Sequence, residues 1–362
     1  MRGLILQIHL ALALIAGTFM VILGVTGSIM AFEPELDRLL HPSLSYIQPQ
    51  GRVLSLVEIG DVVSRRYGGE PIVAFLPSTS PNYPTEVILS RGIVSINQYT
   101  GEVLVIRTRG QTFLGVMRSL HVRLASGDVG RGVLKWSAIA MLFSLVSGLY
   151  LWWPRKRVRI RAPLGSRGFW IDLHNSFGIL LLLPLLALAA TGTIIGFEDQ
   201  VSFLLDKMYG TNPVHSAQTR SQPEPGQEAS EMTPDQAVAI AVARVPGSVA
   251  YRVQMPRYGG LYVVALADPG NRILGDRNSV SIDPGSGSIL SASLFTDLTT
   301  RERFMATNEA IHTGNVFGTP SRVIVALASI LLPLQLISGL LMWICRRKII
   351  KKGEVGGGGP RA

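Results

Sequence analysis

Cysteine and charged residues are scarce in this chain. One cysteine, Cys345, occurs in 362 residues, and only 16% of the residues are charged. A single thiol cannot form a disulfide within the chain or hold a thiolate metal cluster, and no Cys-x-x-Cys-His motif for covalent haem attachment is present. The sequence also lacks a Ser-His-Asp set, a His-Glu-x-x-His zinc motif and a Walker loop. These absences argue against serine hydrolases, zinc hydrolases and P-loop enzymes.

Apolar residues are abundant instead, at 47% of the chain. Four predominantly apolar runs, at about residues 4–32, 133–153, 176–197 and 323–345, are each long enough to cross the roughly 30 Å hydrocarbon core as a helix. The first run is longer than the core of a signal peptide and has no Ala-x-Ala cleavage site, so we interpret it as a span. The sequence therefore predicts a multi-pass protein of the lipid bilayer.

Basic residues predict the orientation of these spans. The segment 154–170 holds six Lys or Arg and no acid, and a basic stretch also follows the fourth run. By the positive-inside rule, both segments and both chain termini are expected on the cytoplasmic side. The net charge of +10 is concentrated in these juxtamembrane stretches. Anionic lipid is therefore the expected partner of this charge, and nucleic acid is not.

Two stretches of the sequence occur twice. Residues 9–40 align without a gap with residues 174–205, and residues 121–157 align with residues 312–348. A Thr-Gly pair recurs in the first alignment and a Ser-Gly-Leu run in the second. Repeated membrane units tend to place functional groups where the copies meet. The histidines that recur are thus the first candidates for a site: His9 with His174, and His121 with His312.

The segments between the predicted spans also show a repeat. Each contains a predicted capped helix, two short alternating strands and a β-hairpin with Asn or Asp and Gly at its turn. The caps are Ser55 with Glu58 and Thr233 with Gln236, the strands cover 72–76, 86–89, 250–255 and 261–266, and the hairpins cover 94–104 and 280–290. Segment 215–231 is polar and is predicted to be a connector. Each outer segment is thus expected to be a small α+β domain.

Together these features resemble the PepSY-associated transmembrane helix family. The likeness is carried by spans that begin with His and end Thr-Gly-(x)n-Phe-Glu, by the outer helix-and-hairpin unit, by Ile-His-Thr-Gly-x-x-Phe-Gly at 311–318, and by a last span ending Ser-Gly-Leu-x-x-Trp. It covers nearly the whole chain. Within the family the sequence is similar to bacterial inner-membrane siderophore-iron reductases. That likeness implies b-type haem in the membrane and reduction of a ferric siderophore on the periplasmic side.

The expected fold is membrane α-helical, with four transmembrane helices in two tandem repeats and two periplasmic α+β PepSY-like domains. The expected segments are transmembrane helix 1 (1–32), periplasmic domain 1 (33–118), an interfacial helix with transmembrane helix 2 (119–153), a cytoplasmic basic loop (154–170), transmembrane helix 3 (171–197), periplasmic domain 2 (198–303), an interfacial helix with transmembrane helix 4 (304–345) and a cytoplasmic basic tail (346–362).

The recurring histidines fit the same expectation. Ionisable groups at membrane depth are costly and usually functional, and a neutral imidazole is a natural axial ligand for haem iron. His9 and His174 are expected near the cytoplasmic surface, and His121 and His312 near the periplasmic one. An axis along the membrane normal would let each pair hold one non-covalent haem b, two in all. The alternative is four interfacial polar histidines. His41 and His215, which do not recur, are excluded.

Other residues near these histidines have two interpretations each. Arg131 and Arg322 recur and are predicted to bind haem propionates, or else to be interfacial anchors. Glycines in the spans allow either close helix approach or room for a flat macrocycle. Met117, Arg118, Asn308 and Glu309 are candidates to line an acceptor site, although solvated interfacial side chains are the favoured interpretation.

The expected function is an inner-membrane ferric-siderophore reductase that takes electrons from a cytoplasmic or membrane donor. Two alternatives from other classes stay open. The first is a di-haem conduit that exchanges electrons with quinol or a redox partner. The second is a haem-free anchor whose PepSY-like modules restrain peptidases.

Overall fold

The computed structural model describes residues 1–42, 47–108, 112–154, 156, 158–210, 232–256, 260–269 and 277–356. The predicted connector 215–231, with His215, lies outside these residues. The chain divides into two compact units. The helical unit comprises residues 1–32, 117–201 and 308–362, and the sheet unit comprises residues 33–116 and 202–307.

The helices, in chain order, are α1 (Arg2–Met30), α2 (Glu33–Leu40), α3 (Leu56–Arg66), α4 (Phe113–Arg123), α5 (Gly127–Trp152), α6 (Arg167–Leu180), α7 (Leu182–Gly196), α8 (Glu198–Tyr209), α9 (Pro234–Arg244), α10 (Thr300–Thr313), α11 (Thr319–Ile330) and α12 (Leu332–Gly356). The strands are β1 (Ile72–Leu76), β2 (Thr85–Leu89), β3 (Gly92–Ile96), β4 (Val103–Thr108), β5 (Val249–Gln254), β6 (Tyr262–Ala267), β7 (Asn278–Ile282) and β8 (Ile289–Ser293).

By length and composition, three helical stretches of the described chain are able to cross a membrane: Arg2–Met30, Gly127–Trp152 and Thr319–Arg346. Helices α6 and α7 provide a fourth span if the pair crosses as one broken helix, bent by 62°. The bend follows from Pro184, which has no N–H to donate to the carbonyl of Leu180 and so weakens the helix at that turn. If α6 and α7 together form the third predicted span, that span is broken rather than continuous.

Close helix packing in the helical unit depends on glycine. At Gly24 of α1, a Cβ atom would lie 2.5 Å from the carbonyl oxygen of Ser329 in α11. Pro333 lacks the N–H that would have bonded this carbonyl in a continuous helix. The Ser329 carbonyl faces α1, and only a residue without a side chain permits so close an approach.

One antiparallel sheet of eight strands forms the sheet unit. Its strand order is β4-β3-β2-β1-β5-β6-β7-β8, so that β1 pairs with β5 through Ala74 opposite Gln254 and Phe75 opposite Val253. The two outer segments, which the sequence predicts as separate domains, thus share one sheet. The difference arises because β1 and β5 would otherwise be open edges, and pairing satisfies their backbone groups.

Two capped helices cover this sheet. Residues of α3 and α9 pack with the strands into one core that includes Ile59, Val63, Phe75 and Val264, each at most 2% exposed. Both predicted capping boxes are confirmed. In addition, Asp235 of α9 accepts hydrogen bonds from the first backbone amides of α3, at 2.8 and 3.0 Å. This carboxylate joins the two halves of the unit.

The predicted hairpin turns are also confirmed. Asn97 accepts from the amide of Tyr99 at 2.9 Å, and Asp283 accepts from the amide of Ser286 at 2.8 Å. Each turn ends at a glycine with positive φ, a conformation that suits glycine best. Elsewhere in the sheet unit, two hydrogen bonds lower the pKa of Glu58 to about 2. The bond from Arg52 has the larger effect, and the bond from the backbone amide of Ser55 has the smaller one.

Substituting Gly24→Ala is expected to destabilise the protein, because the added Cβ meets a backbone oxygen that no side-chain rotation can move away. Overpacking of this kind costs about 1–3 kcal/mol. Gly132→Ala in α5 is the matched control, since its Cβ would have no neighbour within 4 Å and alanine favours helix by about 1 kcal/mol. Thermal unfolding of the detergent-purified variants measures the difference. Equal melting temperatures would show that the α1 and α11 contact is not tight.

Candidate functional site

The structure brings the four recurring histidines together as two pairs. His9 of α1 and His174 of α6 have ring centroids 6.4 Å apart and ring planes at 86°. His121 of α4 and His312 of α10 have centroids 6.3 Å apart and planes at 50°. Each histidine thus faces its own counterpart from the other half of the sequence.

The two pairs lie far apart along α1. His9 belongs to that helix near its start, whereas His121 lies against Gly27 near its end. Eighteen residues of α-helix rise by about 27 Å. This distance is similar to the roughly 30 Å thickness of a hydrocarbon core.

A hydroxyl group holds each of the four imidazole rings by its Nδ1 atom. Thr26 lies 3.0 Å from Nδ1 of His121, and Thr191 lies 2.9 Å from Nδ1 of His312. The other pair uses serine in the same way, with Ser147 at 2.9 Å from His9 and Ser338 at 3.1 Å from His174. All four rings are therefore anchored through the same ring nitrogen.

These contacts also determine which ring nitrogen carries the proton. The Thr26 hydroxyl donates to the carbonyl of Ile22 at 2.7 Å, and the Thr191 hydroxyl donates to that of Ala187 at 2.7 Å. With its hydrogen engaged, each hydroxyl accepts from the imidazole, so Nδ1 is the donor. For His174 the carbonyl of Gln335, which can only accept, lies 3.1 Å from Nδ1. Nε2 then keeps a free lone pair, as a metal ligand requires.

A glycine follows each of these hydroxyl residues and lies beneath the ring. A Cβ atom at Gly27, Gly192, Gly148 or Gly339 would lie 2.9–3.3 Å from the Cε1 atom of the histidine above it. Because Cε1 adjoins both ring nitrogens, this contact and the Nδ1 hydrogen bond together set the direction of Nε2. We call the dipeptides Thr26-Gly27, Thr191-Gly192, Ser147-Gly148 and Ser338-Gly339 the histidine cradles.

The spacing of the rings matches the axial ligation of one iron atom. An iron–imidazole bond is about 2.0 Å long, like the zinc–imidazole bond, and Nε2 lies about 1.2 Å from the ring centroid, so two ligands on opposite sides of an iron have centroids about 6.3 Å apart. The observed separations are 6.4 and 6.3 Å. No iron would fit between rings in direct contact, and none would reach both rings if they were much further apart.

Each pair offers two imidazole nitrogens as possible metal ligands. Among the residues that the structure describes, no group of three or more His, Cys, Asp or Glu is placed to hold an ion. Two imidazoles leave the coordination of a bare transition metal incomplete, whereas a porphyrin supplies the remaining four nitrogens. The residues present therefore fit b-type haem.

An apolar cavity of about 150 Å³ lies beside the pair of His9 and His174. Its walls come from α1, α5, α6, α7 and α12, and include Gly17, Gly148 and Gly178. Cofactor sites commonly occupy about 300–1,000 Å³ and are mostly apolar, so the cavity has the polarity of a cofactor site but is smaller than one. Gly148 belongs to a histidine cradle, whereas Gly17 and Gly178 lie against Leu336 and Gln335.

The two arginines proposed for propionates differ in their surroundings. Arg131 is half exposed and lies 3.7 Å from Asp128, one turn earlier in α5. Arg322 donates from Nε to the carbonyl of Ala31 at 2.7 Å and stacks over the ring of Phe32. Arg322 thus binds the carboxyl end of α1. The propionate role of both residues stays a prediction.

The remaining candidate residues occupy different positions in the structure. Asn308 is buried and its amide donates to the carbonyl of Thr191 at 3.2 Å, so it supports the cradle of His312. Met117, Arg118 and Glu309 lie on α4 and α10, close in sequence to the histidines. His41, which does not recur and was not predicted to bind haem, belongs to the sheet unit. Its Nδ1 atom lies 3.2 Å from a carboxylate oxygen of Asp37.

Sequence reasoning identified the histidines but missed their cradles. The Thr-Gly and Ser-Gly pairs were visible as the most regular element of both alignments. Nothing in the sequence alone says which histidine each pair supports, because the partners are 95 to 164 residues apart. Gln335 also lines the cavity beside His9, and no sequence signal marks it, because glutamine does not recur at the aligned position.

Comparison with known proteins agrees with this architecture. The family model described as PepSY-associated TM region matches residues 6–346. No curated protein sequence matches the chain. The family match covers nearly the whole chain, including both histidine pairs and all four cradles. The chain therefore belongs to the family of PepSY-associated TM regions.

Proposed function

We propose that this protein is an inner-membrane di-haem b reductase that passes electrons from the cytoplasmic side to a ferric siderophore on the periplasmic side. His9 and His174 would hold one haem, and His121 and His312 the other. The observation that carries the proposal is the centroid spacing of 6.4 and 6.3 Å between rings whose Nε2 atoms are free.

Haem b, when bound, supplies one-electron redox chemistry at these two positions. The chain contributes three things. The hydroxyl acceptors fix the tautomer and keep each imidazole a good ligand. The glycines let the rings approach the neighbouring helix. The apolar lining of the cavity beside His9 and His174 makes the surroundings of that site less polar, which would influence its reduction potential.

The substrate follows from the resemblance to siderophore-iron reductases and from the chemistry of iron release. One electron converts Fe(III) in a chelate to Fe(II). Hard oxygen ligands then hold the softer ion less firmly, so that the metal can leave. No proton donor or nucleophile is needed. The direction, from cytoplasm to periplasm, is supported by the basic segment 154–170 and the positive-inside rule.

The first prediction concerns haem content. Purified protein from haem-replete cells is expected to release about two non-covalent haem b per chain with low-spin spectra, because two imidazoles would hold each haem. His9→Ala and His174→Ala should each remove the same haem, and His121→Ala and His312→Ala should each remove the other. His41→Ala is the matched control and should remove neither.

A haem-free preparation would favour the PepSY anchor instead. If His9→Ala and His121→Ala removed the same spectral component, the pairing across the repeat would be wrong.

The second prediction tests the cradles. Thr26→Val keeps the shape of the side chain but removes the acceptor of His121, and loss of such a partner typically weakens metal binding by about 10–100-fold. Thr193→Val is the control, because Thr193 also donates to a backbone carbonyl one turn earlier, at 2.7 Å, but is not a cradle residue. Competition for haem with an acceptor protein measures the difference. Equal haem retention in both variants would rule out the role assigned to Thr26.

The third prediction concerns the electron acceptor. Dithionite-reduced protein is expected to be reoxidised quickly by an added ferric siderophore, producing Fe(II) that a ferrous chelator traps. His9→Ala should leave this last step largely intact in pre-reduced protein and abolish reduction driven from the cytoplasmic side. Rapid reoxidation by a quinone, with no reaction of the ferric chelate, would instead identify the quinol-linked conduit.

A further inference from the structure

A buried amide group lies at the cavity beside His9 and His174. The Nε2 atom of Gln335 in α12 is inaccessible to solvent and has no acceptor among the residues that the structure describes. Gln335 lines the cavity, and a Cβ at Gly178 would lie 3.8 Å from this nitrogen. Gly178 thus leaves room for the side chain of Gln335. The backbone carbonyl of the same residue accepts from Nδ1 of His174.

An unpaired amide in an apolar cavity is unfavourable unless a ligand supplies the acceptor. The counterpart of Gln335 in the aligned segment 121–157 is Ser144, whose hydroxyl already donates to the carbonyl of Ala140 at 2.9 Å. Both residues line the same cavity. The unused donor is therefore on the His174 side of the site.

We propose that Gln335 is a redox-tuning residue of this site: its amide N–H points at the bound tetrapyrrole and raises the reduction potential of that haem above the value an apolar residue would give. This inference rests on the proposed function. The positive end of an N–H dipole stabilises the state that carries the additional electron, and the effect is strong in an apolar cavity. Hydrogen bonding close to a haem is one of the established controls on its potential.

The same geometry distinguishes the two haems. Gln335 contacts the site in two ways. Its backbone carbonyl accepts from Nδ1 of His174, and its side-chain amide lines the cavity. A substitution that changes only the side chain leaves the backbone carbonyl in place. The tautomer and position of His174 are thus preserved while the dipole is removed.

The test is a spectroelectrochemical titration of the full-length protein in detergent. In Gln335→Leu, the reduced-to-oxidised ratio of the haem at His9 and His174 should fall about fivefold at a fixed solution potential, as expected from one net hydrogen bond. A tenfold change in this ratio would correspond to a shift of 59 mV in the reduction potential for one electron. The other haem should keep its potential. Ser144→Ala is the matched control and should change neither, since its hydroxyl is used within α5.

If Gln335→Leu binds two haems and neither reduction potential changes, the role of Gln335 is wrong and the proposed function still stands. No haem in the unmodified protein would overturn both. If Gln335→Leu fails to retain the haem, Gln335→Met, which follows the unbranched shape of glutamine, gives the same test. Loss of that haem from both variants would show that Gln335 is needed for the structure of the site, and the tuning role would be wrong.

Discussion

The hydrogen bond between a hydroxyl group and the Nδ1 atom of histidine is the interaction on which the rest of this site depends. It occurs four times, with distances of 2.9–3.1 Å. In each case the hydroxyl belongs to one helix and the imidazole to another, so the bond sets the position of both. Without it the ring would be free to bind through either nitrogen, and the centroid spacing would not be fixed.

Glycine and proline make these helix contacts possible. A cradle glycine lets an imidazole lie on the backbone of the neighbouring helix, and Gly24 lets α1 approach the carbonyl of Ser329. Pro184 bends the third span so that α6 and α7 point in different directions. The apolar sequence of the spans would tolerate many helix arrangements, and these few residues select one of them.

Much of the architecture was predictable because it depends on local patterns. The capping boxes at Ser55 and Thr233, the strands and the two hairpin turns follow from short sequence signals. The joining of both outer segments into one sheet was not predictable, since the paired residues of β1 and β5 are 178 to 180 positions apart and no sequence pattern identifies them as partners. The angle of 62° between α6 and α7 was not predictable, because Pro184 weakens the helix at that turn but does not set the size of the bend.

The same distinction between local sequence patterns and distant contacts applies to the site. The four histidines emerged from the repeat, which is a property of the sequence. Their cradles and the buried amide of Gln335 depend on contacts between distant segments, and only the structure reveals them. Arg322 illustrates the risk of arguing from recurrence alone: it recurs with Arg131, yet it binds the end of α1 while Arg131 lies near Asp128.

The most direct test of the account is to locate iron in the haem-loaded protein by anomalous X-ray scattering. Two iron sites are expected, one midway between His9 and His174 and one midway between His121 and His312. Half of the observed separations of 6.4 and 6.3 Å places each iron about 3.2 Å from both ring centroids. The sites should be about 27 Å apart along α1. A single iron site, or iron bound to only one histidine of a pair, would contradict the account.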